Sequence, residues 1–327
     1  MDMSIPQSVM RLHGSRVELP IPSAATPPKP VHRRQSGKVE FMFSEQLSAT
    51  HDPQLQAMWL RWNPSPRPNF NLALLEDLGR YCGFIARAGA GQEGYGLDSD
   101  AGPLPIDFAV LSSGIKGVFN LGGDLNLFTR MIEAQDREGL LNYGHACISV
   151  LYRNYIGHGL PITTISLIQG ECLGGGFEAA LSSDVLIAEE SARFGFPEIL
   201  FNLFPGMGAY SFLERKIGAR KTEELISSGK IYSADDMLQM GLVHTVVADG
   251  QGEAAVGNYI RARRHKRSGI AGLAAARRAV ERLEYDELSR IVEIWVDTAL
   301  RLSGRDLKLM QRLVSRQNNM HASRKLH

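Results

Sequence analysis

Short apolar runs and helix-spaced apolar stripes alternate along the middle of this chain, and the alternation predicts its elements. Val39 to Phe43 and Leu55 to Trp62 read as strands of a first hairpin, closed by the proline-rich loop Asn63 to Pro68. Asn69 to Ala88 has helical spacing; Ile106 to Leu111 and Gly117 to Phe119 read as short buried strands, with a glycine- and aspartate-rich surface loop, Gly89 to Pro105, before them. Helices follow over Asp124 to Glu133 and Leu140 to Tyr155, the second striped by Leu141, Ile148, Leu151 and Tyr155. A strand from Ile162 to Ile168, a helix from Gly176 to Ser183 and a strand from Asp184 to Ala188 continue the alternation, which implies an α/β architecture. Beyond Pro205 the pattern turns helical: Met207 to Ile217, Arg220 to Ser228 and Ser233 to Met240, a strand at Val243 to Val247, then helix from Glu253 to Ser315. The expected organisation is an N-terminal extension at 1–37, rich in proline and weakly ordered, an α/β core at 38–250, and a helical region at 251–327 that covers the core or mediates assembly.

Composition changes this picture little. With 327 residues and 44% hydrophobic content the chain can bury a large core, and a net charge of +1 provides no global field for nucleic acid or an anionic membrane. Cys82, Cys147 and Cys172 show neither disulfide-framework nor zinc-site spacing, which fits a reducing compartment. No apolar run reaches the roughly 18 residues that cross a bilayer, and no signal-peptide pattern opens the chain; the expectation is a cytoplasmic protein.

The candidate chemistry lies between Leu121 and Gly208. The turn Gly122-Gly123-Asp124 ends in a residue suited to cap a helix. The turn Gly174-Gly175-Gly176 lets backbone amides approach a ligand and leads to Glu178, and Glu198 follows Pro197. If the Gly123 and Gly175 amides face one point they form an oxyanion hole, in which one donor is typically worth about 2.7–4 kcal/mol of barrier. The aromatic and aliphatic neighbours Phe177, Phe194, Phe196, Ile199 and Leu200 would raise a nearby carboxyl toward the working pH of a general acid or base. Each feature also has a plainer use: chain reversal for the glycines, a solvated helix position for Glu178, a helix N-terminal charge for Glu198. A dinucleotide fingerprint fits less well, because no acidic residue stands about 20 residues on at the end of a following strand. Cys172 has no histidine near it in sequence, and His145 and His158 lack metal-ligand spacing. The basic run Arg261, Arg263, Arg264, His265, Lys266, Arg267 reads as a solvated helix face or as a dock for an acidic carrier or a phosphate-bearing cofactor arm.

These residues resemble the hydratase/isomerase (crotonase) superfamily, whose signature is a GGD-type turn, then GGGxE, then a PE pair before a PGxG loop. Here they are Gly122 to Asp124, Gly174 to Glu178, Pro197-Glu198 and Pro205 to Gly208, and the match runs in order over about 40 to 290. The resemblance implies a spiral of repeated β-β-α units with a C-terminal helical region, assembled as trimers or dimers of trimers. It also implies an oxyanion hole from Gly123 and Gly175 for a thioester carbonyl, Glu178 and Glu198 in both acid/base positions of the enoyl-thioester hydratases, and no metal or cofactor. Substrate contacts fall to Gly122, Leu173, Gly174, Met207 and Trp295, with Leu213 a further candidate for an acyl tunnel. Within the superfamily, FNLGGDLNLF at Phe119 to Phe128, YGHACISVLYRNY at Tyr143 to Tyr155, LIQGECLGGGFEAALSSD at Leu167 to Asp184 and the N-terminal extension resemble the bacterial synthases of diffusible signal factors. Those enzymes dehydrate a 3-hydroxyacyl chain on acyl carrier protein to the cis-2-enoyl thioester, release the free acid for quorum sensing, and are associated with a sensor kinase. The resemblance suggests that Glu198 removes the α-proton and Glu178 protonates the leaving hydroxyl, or the reverse. The alternatives are an ordinary enoyl-CoA hydratase of fatty-acid metabolism and a regulatory binding partner of a sensor kinase.

Overall fold

The computed structural model describes residues 30–33, 37–87, 96–99 and 102–324. Strand β1 (Pro30–Arg33) pairs antiparallel with β2 (Val39–Ser44), which continues into β3 (Leu47–Asp52) and β4 (Ala57–Trp62) as an antiparallel meander. Helix α1 (Leu72–Arg87) and the hairpin β5 (Gly96–Ser99) with β6 (Gly102–Pro105) come next. Three turns of a spiral follow. The first contains β7 (Phe108–Ser113), β8 (Val118–Asn120), α2 (Leu125–Glu133) and α3 (Arg137–Tyr155). The second contains β9 (Thr163–Ile168), β10 (Glu171–Leu173) and α4 (Gly175–Leu181). The third contains β11 (Val185–Glu189), β12 (Arg193–Gly195), the 3-10 turn Pro197–Phe201 and α5 (Ala209–Ile217). The rest is α6 (Ala219–Ser228), β13 (Ile231–Ser233), α7 (Ala234–Gln239), β14 (Thr245–Val247), α8 (Gly252–Arg263), α9 (Arg267–Val280), α10 (Tyr285–Ala299) and α11 (Gly304–Arg324).

In each spiral turn the first strand enters a large sheet of order β1-β2-β3-β4-β7-β9-β11-β14, and the second enters a small one of order β13-β12-β10-β8. The joins from β4 to β14 are parallel, as are β8–β10–β12. This is the expected β-β-α spiral. Strands β9 and β11 are buried at every position, because the sheet is covered on both faces. On one face Ile165, Leu167, Val185 and Ile187 pack with Val256 and Ile260 of α8; the other face belongs to the main core. Helix α3 buries Leu140, Tyr143, Gly144, Cys147, Ile148 and Leu151, a stripe at helical spacing, beneath α10. Gly144 permits that approach: a Cβ there would stand 2.5 Å from Val292 Cγ1. Buried Asp184 fastens α9 to the sheet, accepting from the Thr164 amide at 2.9 Å and pairing with Arg278 at 2.7 Å and with Arg277.

Several expectations change. The first hairpin is a three-stranded meander, because β3 hides His51 and Asp52, which break the apolar alternation. His51 Nε2 bonds the Pro105 carbonyl at 2.8 Å and Asp52 pairs with Lys38 at 2.8 Å. The segment read as a loop at 89–105 carries the β5–β6 hairpin. Strands β10, β12 and β13 are three residues each, too short to show a period. The C-terminal helix is four helices, interrupted at 264–266, 281–284 and 300–303. Of the N-terminal extension, Pro30–Arg33 is the edge strand β1; residues 1–29 and 34–36 lie outside the described residues.

Candidate active site

The two glycine turns meet between the ends of β8 and β10. Gly122 has φ +95°, its amide donates to Asn120 Oδ1 at 2.8 Å and its carbonyl accepts from Phe70 N–H at 2.8 Å. A Cβ on Gly122 would lie 2.8 Å from the Gly175 nitrogen, and one on Gly175 would lie 3.5 Å from the Gly123 nitrogen. The Gly123 and Gly175 amides therefore sit side by side, the second at the first residue of α4, where the N–H has no partner within the helix. Asp124 caps α2 as its position in the turn suggests, its carboxylate accepting from Asn126 and Leu127 amides at 3.1 and 3.2 Å. Tyr143 Oη braces the turn, donating to the Phe70 carbonyl at 2.6 Å.

Glu178 occupies the first turn of α4 and is 2% exposed. Its Oε1 accepts from the Met207 and Ala209 amides at 2.8 and 3.0 Å, both supplied by the Pro205 to Gly208 loop and the start of α5. Burial raises its pKa to about 7, against the lowering effect of those two bonds. Glu198 stands on the 3-10 turn after β12, partly exposed as a residue but with Oε2 sealed from solvent and unpaired among the described residues. Burial, then the charge of Glu178, raises its pKa to about 8. Two carboxyls thus share one site, and Glu198, which has only its own backbone amide as a donor and the Glu178 charge beside it, holds its proton more firmly.

Both face one narrow cavity of about 60 Å³. Gly123 and Gly175 line it with Glu178 and Glu198; its walls are largely apolar. Of the candidates for substrate contact, Gly174, Met207 and Trp295 line the cavity, whereas Gly122, Leu173 and Leu213 stand outside its lining. Trp295 packs edge-on against Phe128, ring centroids 5.1 Å apart. The sequence reading missed Phe128, Tyr143, Cys147, Leu151 and Leu313 as cavity walls. Their helical spacing marks them as buried but does not separate cavity wall from solid core.

The other candidates find structural places. Cys172 is fully buried with its thiol pushed well up by burial, and His145 Nε2 meets Ser289 Oγ at 3.2 Å between α3 and α10. His158 is buried at the end of α3. The run from Arg261 to Lys266 is mostly exposed, with Arg263 stacked 3.5 Å above the Tyr259 ring. Among the described residues no group of three or more His, Cys, Asp or Glu is placed to hold a metal, and no helix is long and apolar enough to cross a membrane.

The enoyl-CoA hydratase/isomerase family model matches residues 106–294, which include both glycine turns and both glutamates. The chain belongs to that family. It is 37% identical over 165 residues to the fatty acid oxidation complex subunit alpha of Pseudomonas savastanoi pv. phaseolicola, a match covering 50% of this chain and 22% of that one. The corresponding subunit of Pseudomonas aeruginosa is 34% identical over 159 residues, again with 22% of its length covered. The chain thus matches about a fifth of the length of these relatives. Among solved structures, an enoyl-CoA hydratase of Bacillus halodurans superposes with a TM-score of 0.60 at 22% identity, covering 79% of this chain and 96% of that one. Pseudomonas aeruginosa DspI superposes with a TM-score of 0.53 at 23% identity, covering 76% and 85%. At these identities the likeness is one of fold.

Proposed function

We propose that this crotonase-family protein dehydrates a 3-hydroxyacyl thioester carried on acyl carrier protein to the cis-2-enoyl thioester and hydrolyses that thioester to the free acid, as a diffusible signal factor synthase. The observation that carries the dehydration is a pair of glutamates, Glu178 buried and Glu198 with its Oε2 sealed from solvent, both with raised pKa, at one cavity with the Gly123 and Gly175 amides. An acid and a base of nearly matched pKa suit removal of an α-proton and departure of a β-hydroxyl as water. The amides hold the thioester oxygen as negative charge builds on it in the enolate. Electrostatics favour Glu178 as the base, since two amide donors stabilise its carboxylate, and Glu198 as the acid, since burial and the neighbouring charge keep it protonated. This supports one of the two assignments the sequence allows. The base then re-forms as the proton passes to solvent, and a glutamate-activated water adds to the same polarised carbonyl, expelling the carrier thiol. The motifs shared with signal synthases and the DspI-like fold support this finer reading; the self-association common in the family, and a sensor kinase as regulatory partner, accompany it.

An ordinary enoyl-CoA hydratase reading is favoured by the sequence match to fatty acid oxidation subunits. Mass spectrometry of free acids formed from 3-hydroxydodecanoyl-acyl carrier protein separates the two. A cis-2-enoic acid from the native protein, absent with Glu178→Ala and Glu198→Ala, is the expected result. Hydration of crotonyl-CoA with the carrier-bound substrate untouched would instead identify the ordinary hydratase.

A further inference from the structure

The direction of one oxyanion donor is set from outside the turn that carries it. Phe70, in the loop before α1, forms an isolated parallel bridge with Gly123, and its N–H donates to the Gly122 carbonyl at 2.8 Å. A trans peptide sends its carbonyl oxygen and its N–H to opposite sides. With the Gly122 carbonyl held toward Phe70, the Gly123 N–H is turned the other way, toward α4, whose first residue Gly175 would carry a Cβ 3.5 Å from that nitrogen. Tyr143 of α3 locks this bridge. Its hydroxyl donates to the Phe70 carbonyl at 2.6 Å and accepts from the Asp124 N–H at 3.4 Å, so a single side chain ties the residue that orients the turn to the residue that ends it. The Tyr143 ring also stands edge-on to Phe128, centroids 4.8 Å apart, and Gly123 lies against Phe128: a Cβ there would be 2.6 Å from the Phe128 ring. Tyr143 is 1% exposed, and burial holds its proton well above the usual phenol range, so the donor persists at every working pH. The Cys147 thiol, one turn on in α3, is likewise kept neutral by burial and brings no competing charge.

A hydroxyl buried among aromatic rings costs stability unless it is bonded, and packing alone would be served by phenylalanine in its place. We propose that Tyr143 is a positioning residue for the oxyanion site, which sets the direction of the Gly123 N–H and so the polarisation of a bound thioester carbonyl. It needs no contact with the reacting atoms. A donor turned off line weakens most where the negative charge on its acceptor is greatest, so the effect grows as charge builds on the carbonyl oxygen. The loss on removing the brace therefore falls on kcat more than on KM.

This inference rests on the reading of the Gly123 and Gly175 amides as a thioester oxyanion hole, so its test observes the carbonyl itself. A dodecanoyl thioester labelled with carbon-13 at the carbonyl, on acyl carrier protein and in parallel on CoA, is bound to a Glu178→Gln, Glu198→Gln background in which it is neither deprotonated nor hydrolysed. Isotope-edited infrared difference spectra then report the polarisation of the carbonyl. The band is expected below that of the free thioester in this background, and adding Tyr143→Phe should return most of that shift. Tyr143→4-aminophenylalanine keeps a weaker N–H donor in the same place and should leave the band between the two; it also serves if loss of the hydroxyl outright costs the fold. With both glutamates restored, Tyr143→Phe should lower kcat by about tenfold to a hundredfold and change KM by less than about threefold. An unshifted band in the background protein on both carriers overturns the oxyanion reading and the proposal with it. A shifted band that neither Tyr143 variant moves overturns the role of Tyr143 alone and leaves the oxyanion reading standing.

Discussion

Strands β10 and β12 are parallel neighbours in the small sheet, and each delivers a glutamate to the same cavity by a different route. After β10 the glycine turn feeds a regular helix, and Glu178 is gripped by two amides from the Met207 loop. After β12, Pro197 starts a 3-10 turn, and Glu198 reaches a place where nothing donates to its Oε2. One carboxyl has two amide donors from another segment, the other only its own backbone amide. The lesson is that identical side chains acquire different resting protonation from their backbone donors together with each other's charge, which is how a pair of glutamates divides into an acid and a base.

The largest expected effect comes from breaking the pair on either side. Glu178→Gln and Glu198→Gln should each lower the dehydration rate by about 10²–10⁴-fold. They should differ in exchange of the α-proton of a saturated acyl thioester with deuterated solvent, followed by mass spectrometry: Glu198→Gln keeps exchange and Glu178→Gln loses it. The opposite pattern would invert the roles. In the native protein the base must be ionised and the acid protonated. Dehydration should therefore fall below about pH 7, where Glu178 takes up its proton, and above about pH 8, where Glu198 loses its own. Loss of α-proton exchange in both variants would mean that neither glutamate acts alone.

A smaller effect should come from disturbing one route and sparing the other. Gly174 has φ +52° and ψ −128°, a conformation that residues with a Cβ avoid, and an added Cβ would stand 2.5 Å from Glu198 Oε1. Gly174→Ala therefore pushes the Glu198 carboxyl aside. We expect a loss of about tenfold to a hundredfold in kcat, the scale of a misplacement of about 1 Å, with α-proton exchange at Glu178 largely retained. If exchange and dehydration fall in parallel, the turn supports both carboxyls equally and the comparison loses its force.

How much of this was readable beforehand follows the same division. Gly122, Gly123, Gly174, Glu178 and Glu198 were legible because turn chemistry and carboxylates leave marks on the residues that perform them, and the helical stripe of α3 with the short apolar runs of β9 and β11 marked the spiral's scaffold. The amides of Met207 and Ala209 were not, because a backbone donor has no residue type to announce it. Nor were β10 and β12, whose pairing is set by tertiary register over three residues. Leu313 lines the cavity from α11, and that contact depends on how four C-terminal helices fold back, a long-range fact that local periodicity does not encode.

The smallest expected effect reads the raised pKa of Glu198 as stability. The folded-state pKa of Glu198 is raised from 4.5 to about 8. The native state therefore binds a proton that the unfolded chain has released, and stability drops as pH rises. The contribution is fully present below about pH 4.5, shrinks above it, and is lost once pH passes through about 8. Glu198→Gln removes this dependence. Relative to the native protein it should gain roughly 2–4 kcal/mol in urea unfolding on going from pH 5 to pH 9, since about three pH units of the shift fall in that window and are worth at most about 4 kcal/mol. Glu178→Gln should gain less, because its carboxylate is already stabilised by two amides and its pKa is raised only to about 7. Were both variants to follow the native protein's pH dependence, the carboxyls would be solvated in solution, and the assignment of a proton-holding acid at Glu198 would fall with them.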